Sequence, residues 1–273
     1  MGGSITISIN NCDRCLFWWT ITRESKEVML GLSNGLLANN ILCEYTRGNC
    51  DWTPASISSL THWYRRGVDQ LTTTLLGNPH VYEWQDTEGT NDLTTTPASN
   101  TAPQSVENGA LFFDTSGHTM IFDSELSLGK FSIYIKCKFD AFANEILMEK
   151  GTTDMFQISS STEVRVKVKN GGAEASRHDY TLPATLAVDT PFNIGWERED
   201  TAATTDDVMR IYLNGVAATQ SGTGDGTQVI TELLSLTTLG VPVHDSVWYE
   251  VVICNDSLSA DDRADLNTWL NNV

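Results

Sequence analysis

Apolar positions recur at every second residue through most of the latter half of the chain. Phe131-Ser132-Ile133-Tyr134-Ile135-Lys136-Cys137-Lys138-Phe139 sets five apolar residues against four polar or amphipathic ones, the period of a strand with one buried face. In Glu163-Val164-Arg165-Val166-Lys167-Val168-Lys169 the valines share one face and the other face is wholly charged. Met209, Ile211 and Leu213 alternate with Arg210 and Tyr212 before Asn214-Gly215, the pair that supplies the positive φ angles of a tight hairpin. Trp248 to Asn255 alternates again, which predicts Tyr249, Val251 and Ile253 on one face. A single helix is expected after it. Ser259 is placed to cap it, Asp262 stands three residues on, and Leu266, Trp269 and Leu270 form its buried stripe.

Shorter apolar segments surround Trp63, Trp84, Phe112, Met120, Leu147, Phe156 and Trp196, with turn residues between them. Strands at intervals of about 8–12 residues predict a β-sandwich. The stretch from Thr94 to Gln104 is rich in Thr, Ser, Asn and Pro and reads as a loop. Upstream of Trp52-Thr53-Pro54 the texture changes. Three short strands are expected there, at residues 6–9, 16–21 and 27–32, and four of the six cysteines lie in this zone. The expected organisation is a small β-rich module over residues 1–55 and a large all-β domain over residues 56–273.

Composition narrows the function. The formal net charge is −18, which repels phosphate backbones and anionic lipid, so neither nucleic acid nor a membrane surface is an expected partner. No apolar run approaches the 18 or so residues of a membrane span. The start Met-Gly-Gly-Ser-Ile-Thr lacks both the basic stretch and the apolar core of a secretory signal, so folding in a cytosol is expected.

The order of the motifs resembles the concanavalin-A-like and laminin-G-like jelly-roll family. The resemblance rests on the Trp63 strand, Trp84-Gln85-Asp86 followed by Leu93-Thr94, Phe112-Phe113-Asp114, the strand ending Tyr212-Leu213-Asn214-Gly215, and the closing helix. It implies a jelly-roll β-sandwich. It also implies one of three roles: a virion structural protein of a phage, a carbohydrate-binding lectin-like module, or a glycan hydrolase. Hydrolases of this fold carry paired carboxylates on alternate residues of one strand. The nearest run here is Glu197-Arg198-Glu199, which reads as a strand end with solvated charges, and Glu145 and Glu149 are no better spaced. A non-enzyme is therefore expected.

Other candidate chemistry is sparse. The five histidines, His62, His80, His118, His178 and His244, form no pair in sequence and read as surface or loop residues. Cys12-x-x-Cys15 with Cys43 and Cys50 offers four thiols; zinc ligation, disulfides formed after release and free thiols are all open, with free thiols favoured. Cys137 reads as packing. Calcium, frequent in extracellular members of the family, has candidate loops at Asp86 to Asp92, Asp206-Asp207 and Gly222 to Gly226, none with a convincing ligand rhythm. No resident cofactor is expected. Trp18 and Trp19 are adjacent in a strand, so one of them must leave the local core and serve as a docking, oligomer or ligand contact. These readings favour a surface component of a phage particle, a head decoration or fibre-type homo-oligomer assembled in the host cytoplasm. Its partners would be other virion proteins and a host-surface glycan. A lectin-like module outside any virion is the alternative.

Overall fold

The computed structural model describes residues 4–7, 19–22, 52–75, 77–95, 101–114, 117–169, 175–199, 209–223 and 232–273. The chain divides into two compact units, Met1–Trp52 and Thr53–Val273. In the first, Ser4–Ile7 pairs antiparallel with Trp19–Thr22, Ile7 lying opposite Trp19. The strand expected over residues 27–32 lies outside the described residues, as do Trp18, Cys12, Cys15, Cys43 and Cys50.

The second unit is an antiparallel β-sandwich. Phe131–Phe139 runs through the middle of the front sheet. Phe192–Arg198 and then Met209–Leu213 lie on one side of it. Ser246–Cys254 lies on the other, with Leu60–Arg65 and Ala110–Phe113 beyond. The back sheet runs in the spatial order Met120–Leu128, Leu234–Val241, Glu145–Lys150, Asp154–Ser160, Glu163–Lys169, Ala175–Thr181 and Thr219–Thr223. Asn78–Trp84 joins the two sheets, pairing toward the back through Leu93–Thr94 and toward the front through Gln104–Val106.

The alternation read from sequence is what fills the space between the sheets. Ile133, Ile135 and Cys137 of the front sheet and Val164, Val166 and Val168 of the back are all fully buried in one core. Trp196 bridges the layers, its ring 4.9 Å from Phe131 and 5.4 Å from Phe156 between centroids. Each such side chain contributes about 1.5–3 kcal/mol by leaving water. The turn after Leu213 forms as expected, with Asn214 at φ 49° and Gly215 at φ 81°.

The Trp248–Asn255 segment departs from simple alternation. A bulge opposite Lys136 and Cys137 shifts the register, so Trp248 joins Val251 and Ile253 in the core. Tyr249 is left outside that cluster, with the Lys136 ammonium 5.8 Å from its ring centroid. The periodicity of two counted across the bulge placed Tyr249 on the wrong face.

The helix spans Ala260–Asn272 and starts as expected, Ser259 Oγ accepting the Asp262 N–H at 3.1 Å. It lies on the outer face of the front sheet. Leu266 and Leu270 are buried, and Trp269 meets Trp63 edge-on at 6.0 Å. Asn193 Nδ2 donates to the side chains of Asn267 and Asn271, and Lys136 donates to the carbonyl of Leu270 near the helix end.

Beneath the helix, Gly195 lies across the strand pair from Tyr134. A Cβ on Gly195 would come within 2.3 Å of the Tyr134 ring. The ring has no room to swing aside, because its hydroxyl is held at 2.5 Å by Glu197. Gly195→Ala is therefore expected to destabilise the fold by about 1–3 kcal/mol through overpacking. A thermal melt matching that of the wild type would show that the ring is not held.

Candidate functional site

Two places gather polar side chains, and they differ in access. The first lies under the helix. Glu197 is fully buried there, accepting the Tyr134 hydroxyl and two bonds from Arg263, at 2.9 Å from Nε and 2.8 Å from Nη2. The Arg263 guanidinium also stands 4.4 Å over the Tyr212 ring. Burial, with Glu197 beside it, pushes the Tyr134 hydroxyl well above the usual phenol range. The sequence reading of Glu197 as a solvated strand-end charge is thus corrected. Its position on the strand aims it at the outer face, and the helix then covers that face. Glu250 shares the layer, 3 % exposed, with the Trp63 indole N–H donating to Oε2 at 2.8 Å. Every group here is closed off from a ligand, and the layer reads as the seam between sheet and helix.

Three of the five histidines are also buried, against expectation: His80, His118 and His178. His80 Nδ1 lies 2.7 Å from the Ala102 carbonyl, His118 accepts the Asp114 N–H at 3.1 Å, and His178 meets Gln220 at 3.3 Å. The folded strands bring these polar contacts together from separate stretches of sequence, which is why spacing did not show them. His62 and His244 each sit 2.6 Å from a buried carboxylate, Asp86 and Glu145. Asp86 also accepts the backbone N–H groups of Trp63, Glu88 and Asn91, so the loop it anchors uses that carboxylate internally. Burial would raise its pKa, but these bonds, His62 foremost, hold it below the usual carboxylate range. Among the described residues no three His, Cys, Asp or Glu side chains gather as metal ligands. Asp206, Asp207 and the loop from Gly224 to Gly226 lie outside the described residues. Cys137 and Cys254 are buried free thiols.

The second place is the outer face of the back sheet. Among the described residues of this unit no helix covers it. Cross-strand register puts Ile146, Gln157, Arg165 and Asp179 in one row. Thr238, Glu149, Met155, Lys167 and Arg177 form the next. Asp179 accepts from Arg165 Nε at 2.8 Å and from Arg177 Nε and Nη2 at 3.0 and 2.5 Å. Burial works against its charge, yet Arg177 and Arg165 outweigh it and hold its carboxyl below the usual range. Burial raises the Glu149 carboxyl.

Gln157 stands in the middle of this face and is only 6 % exposed. Its Nε2 donates to the Asn144 carbonyl at 3.2 Å, while its Oε1 has no partner. The hydroxyl of Ser159, next but one on the same strand, is also buried without a partner. At the end of the sheet a cavity of about 490 Å³ opens between Lys150, Lys169, Ser127, Thr153 and Ser235. The charged face of residues 163–169 was legible in sequence. Gln157, Arg177 and Asp179 were not, because only the register brings their strands beside it. The sequence candidates Trp18, Cys12, Cys15, Cys43 and Cys50 lie outside the described residues. Trp19 is placed in a strand of the first unit, and its side chain is not among those described.

Compared by sequence, the chain matches no protein family and no curated protein. By shape it is similar to several solved structures. The botulinum neurotoxin serotype D binding domain shares 12 % identity at a TM-score of 0.53, covering 79 % of this chain and 52 % of that one. The same serotype's ligand-binding domain in complex with N-acetylneuraminic acid gives 12 % and 0.52, with the same coverage. A Trypanosoma rangeli sialidase gives 14 % and 0.49, covering 77 % of this chain and 33 % of that one. This chain thus spans about a third to a half of those proteins, and at these identities the likeness establishes the fold alone. The expectation of a non-enzyme is corrected: it rested on the paired-carboxylate rule alone, and sialidases, which use a tyrosine nucleophile, are an exception to that rule.

The layer under the helix makes a prediction for pH. Burial pushes the Glu250 carboxyl up to about 7, against the pull of Trp63, Arg65 and Arg66. The folded state therefore keeps a proton that the unfolded chain has lost above about pH 4.5. Stability from this group is fully present below that pH and is lost as pH rises through 7. Glu250→Gln keeps an acceptor for Trp63 and cannot ionise. It is expected to melt with the wild type near pH 5 and above it at pH 8, by up to about 3 kcal/mol. Equal melting of the two proteins across that range would refute the assignment.

Proposed function

We propose that this chain is a lectin-like carbohydrate-binding protein whose ligand lies across the outer face of the back sheet. The observation that carries the reading is Gln157. A side-chain amide more than nine-tenths buried, with one end bonded and the carbonyl end unpartnered, is costly unless something else completes it. Sugar hydroxyls are donors of the right kind for Gln157 Oε1 and Ser159 Oγ once the side chains that close these atoms off from water move aside, and Asp179 lies in the same row. Met155 and the partly exposed Ile146 give the apolar floor on which a sugar ring rests.

The neighbouring solved structures support the class of ligand. One is bound to N-acetylneuraminic acid, and the binding domain of a botulinum neurotoxin is in complex with SialylT. These neighbours are toxin binding domains and a sialidase rather than phage proteins, so the virion role, with its virion partners, gives way to the lectin-like alternative.

A glycan array probed with the full chain is expected to show binding. Gln157→Met keeps the side-chain volume and removes the amide. It should weaken binding about tenfold, the worth of one well-made hydrogen bond to a buried partner. Its melting temperature should stay near that of the wild type, because the variant also removes an unsatisfied acceptor. Wild-type affinity in Gln157→Met, or no binding to any glycan, would overturn the reading.

A further inference from the structure

One part of the back face gathers cations, in a chain that has few of them. The protein has 35 acidic and 17 basic side chains. Yet Arg165, Lys167 and Lys169 follow one another on the outward side of a single strand, and Arg177 stands on the next strand, opposite Lys167. Alternate residues of a strand are about 6.8 Å apart, so these cations form a ladder along the face.

Three carboxylates share the face with them: Glu163 at the head of the same strand, Glu149 beyond Met155 in the Lys167 row, and Asp179. Asp179 is shared by two arginines, and it occupies their Nε sides. The Nη groups of Arg165 make no hydrogen bond among the described residues, and they belong to a guanidinium whose position Asp179 already fixes. Lys167 and Lys169 make no ion pair among the described residues. The cavity at the end of the ladder repeats the pattern. Lys169 and Lys150 line it together with the hydroxyls of Ser127, Thr153 and Ser235. Lys150 reaches Glu125 at 2.6 Å, an exposed and therefore weak pair. The buried Asp154 in the wall is already satisfied: it accepts the backbone N–H groups of Lys169 and Ser235 and the Thr153 hydroxyl. That leaves Glu232 as the one carboxylate of the lining without such backbone donors, against two lysines. Leu233, 50 % exposed, offers the cavity an apolar surface for the C–H face of a ring.

We infer that the ligand of this face is an acidic oligosaccharide, bearing carboxylates that the Arg165–Lys169 ladder and the Lys150–Lys169 cavity receive. The inference rests on the glycan-binding reading above and adds the ligand's charge and the place where it is read. Two physical points favour carboxylate. A guanidinium fork matches the planar geometry of a carboxylate with two parallel bonds. The overall charge of −18 repels extended polyanions at long range, so a short glycan with few charges approaches where a nucleic acid or a heavily charged polymer does not.

The test is an array on which each neutral oligosaccharide is printed beside its sialylated or uronate-bearing counterpart and its sulfated counterpart. The full-length protein is compared with a Lys167→Gln/Lys169→Gln variant, both side chains lying on the outward face. The carboxylated glycans are expected to bind at least about tenfold better than their neutral parents, the worth of one charge-assisted hydrogen bond. That preference should shrink as salt is raised through the range where the Debye length falls below about 10 Å. The variant should lose the preference while melting like the wild type and keeping its affinity for neutral glycans. Equal binding of neutral and carboxylated partners sinks this inference and leaves the glycan reading standing. Preference for the sulfated series over the carboxylated one refutes the carboxylate assignment, and an undiminished preference in the variant refutes the site. Failure to bind any of the three series removes the glycan reading itself.

Discussion

The structure turns on one buried carboxylate. Glu197 has no exposed surface, and a charge in that position is tolerable only if its lone pairs are taken. Arg263 takes both oxygens and Tyr134 takes one again. Breaking such a pair from one side costs about 3–5 kcal/mol, because the other charge is left behind without water or partner. The helix is therefore bound to the front sheet by a directional clamp as well as by Leu266 and Leu270. The same clamp explains Gly195, whose missing side chain is the space the Tyr134 ring occupies. It also holds the helix over the front sheet, whereas among the described residues of this unit no helix covers the outer face of the back sheet.

That surface is built to be rigid. Its strands are hydrogen-bonded on both sides through the middle of the sheet, and its inner face is locked by Phe156, Ile158, Val164 and Val166 in the shared core. Asp179 adds a second level of order by fixing two guanidinium groups from neighbouring strands before any ligand arrives. Long side chains lose most when they must be ordered on binding, so groups already held contribute more of their interaction to affinity. The unpartnered oxygens of Gln157 and Ser159 belong to the same logic. They lie on an inner strand of the sheet, where the backbone cannot move to relieve them.

How much of this was legible in sequence follows from the range of each interaction. The strand Phe131–Phe139, the Asn214-Gly215 turn and the Ser259 cap depend on residues within a few positions of one another, and local pattern is enough for them. Tyr249 was misplaced because a bulge is set by the partner strand, not by the residues inside it. Glu197 was read as solvated because nothing near it in sequence reveals that residue 263 will return to cover it. The site shows the same division. The charged face of Glu163–Lys169 is a local alternation and was visible. Its meeting with Arg177, Asp179 and Gln157 is a matter of register across three strands, and register is not written in any one of them.

The fold by itself leaves the chemistry open, since sandwiches of this kind carry binding proteins and enzymes alike. What narrows it is the local departure from the chain's own average. An acidic protein gains solubility from spreading carboxylates everywhere, and a run of cations on the outer face of the back sheet works against that trend. Structural need does not account for the ladder either. Arg165 and Arg177 share one carboxylate, and Lys167 and Lys169 make no ion pair among the described residues. Cations that depart from the surface composition, beside an amide with an unpartnered acceptor, are the basis of the proposed recognition site. The lysines and hydroxyl-bearing residues of the end cavity extend that proposed site toward one end of the sheet.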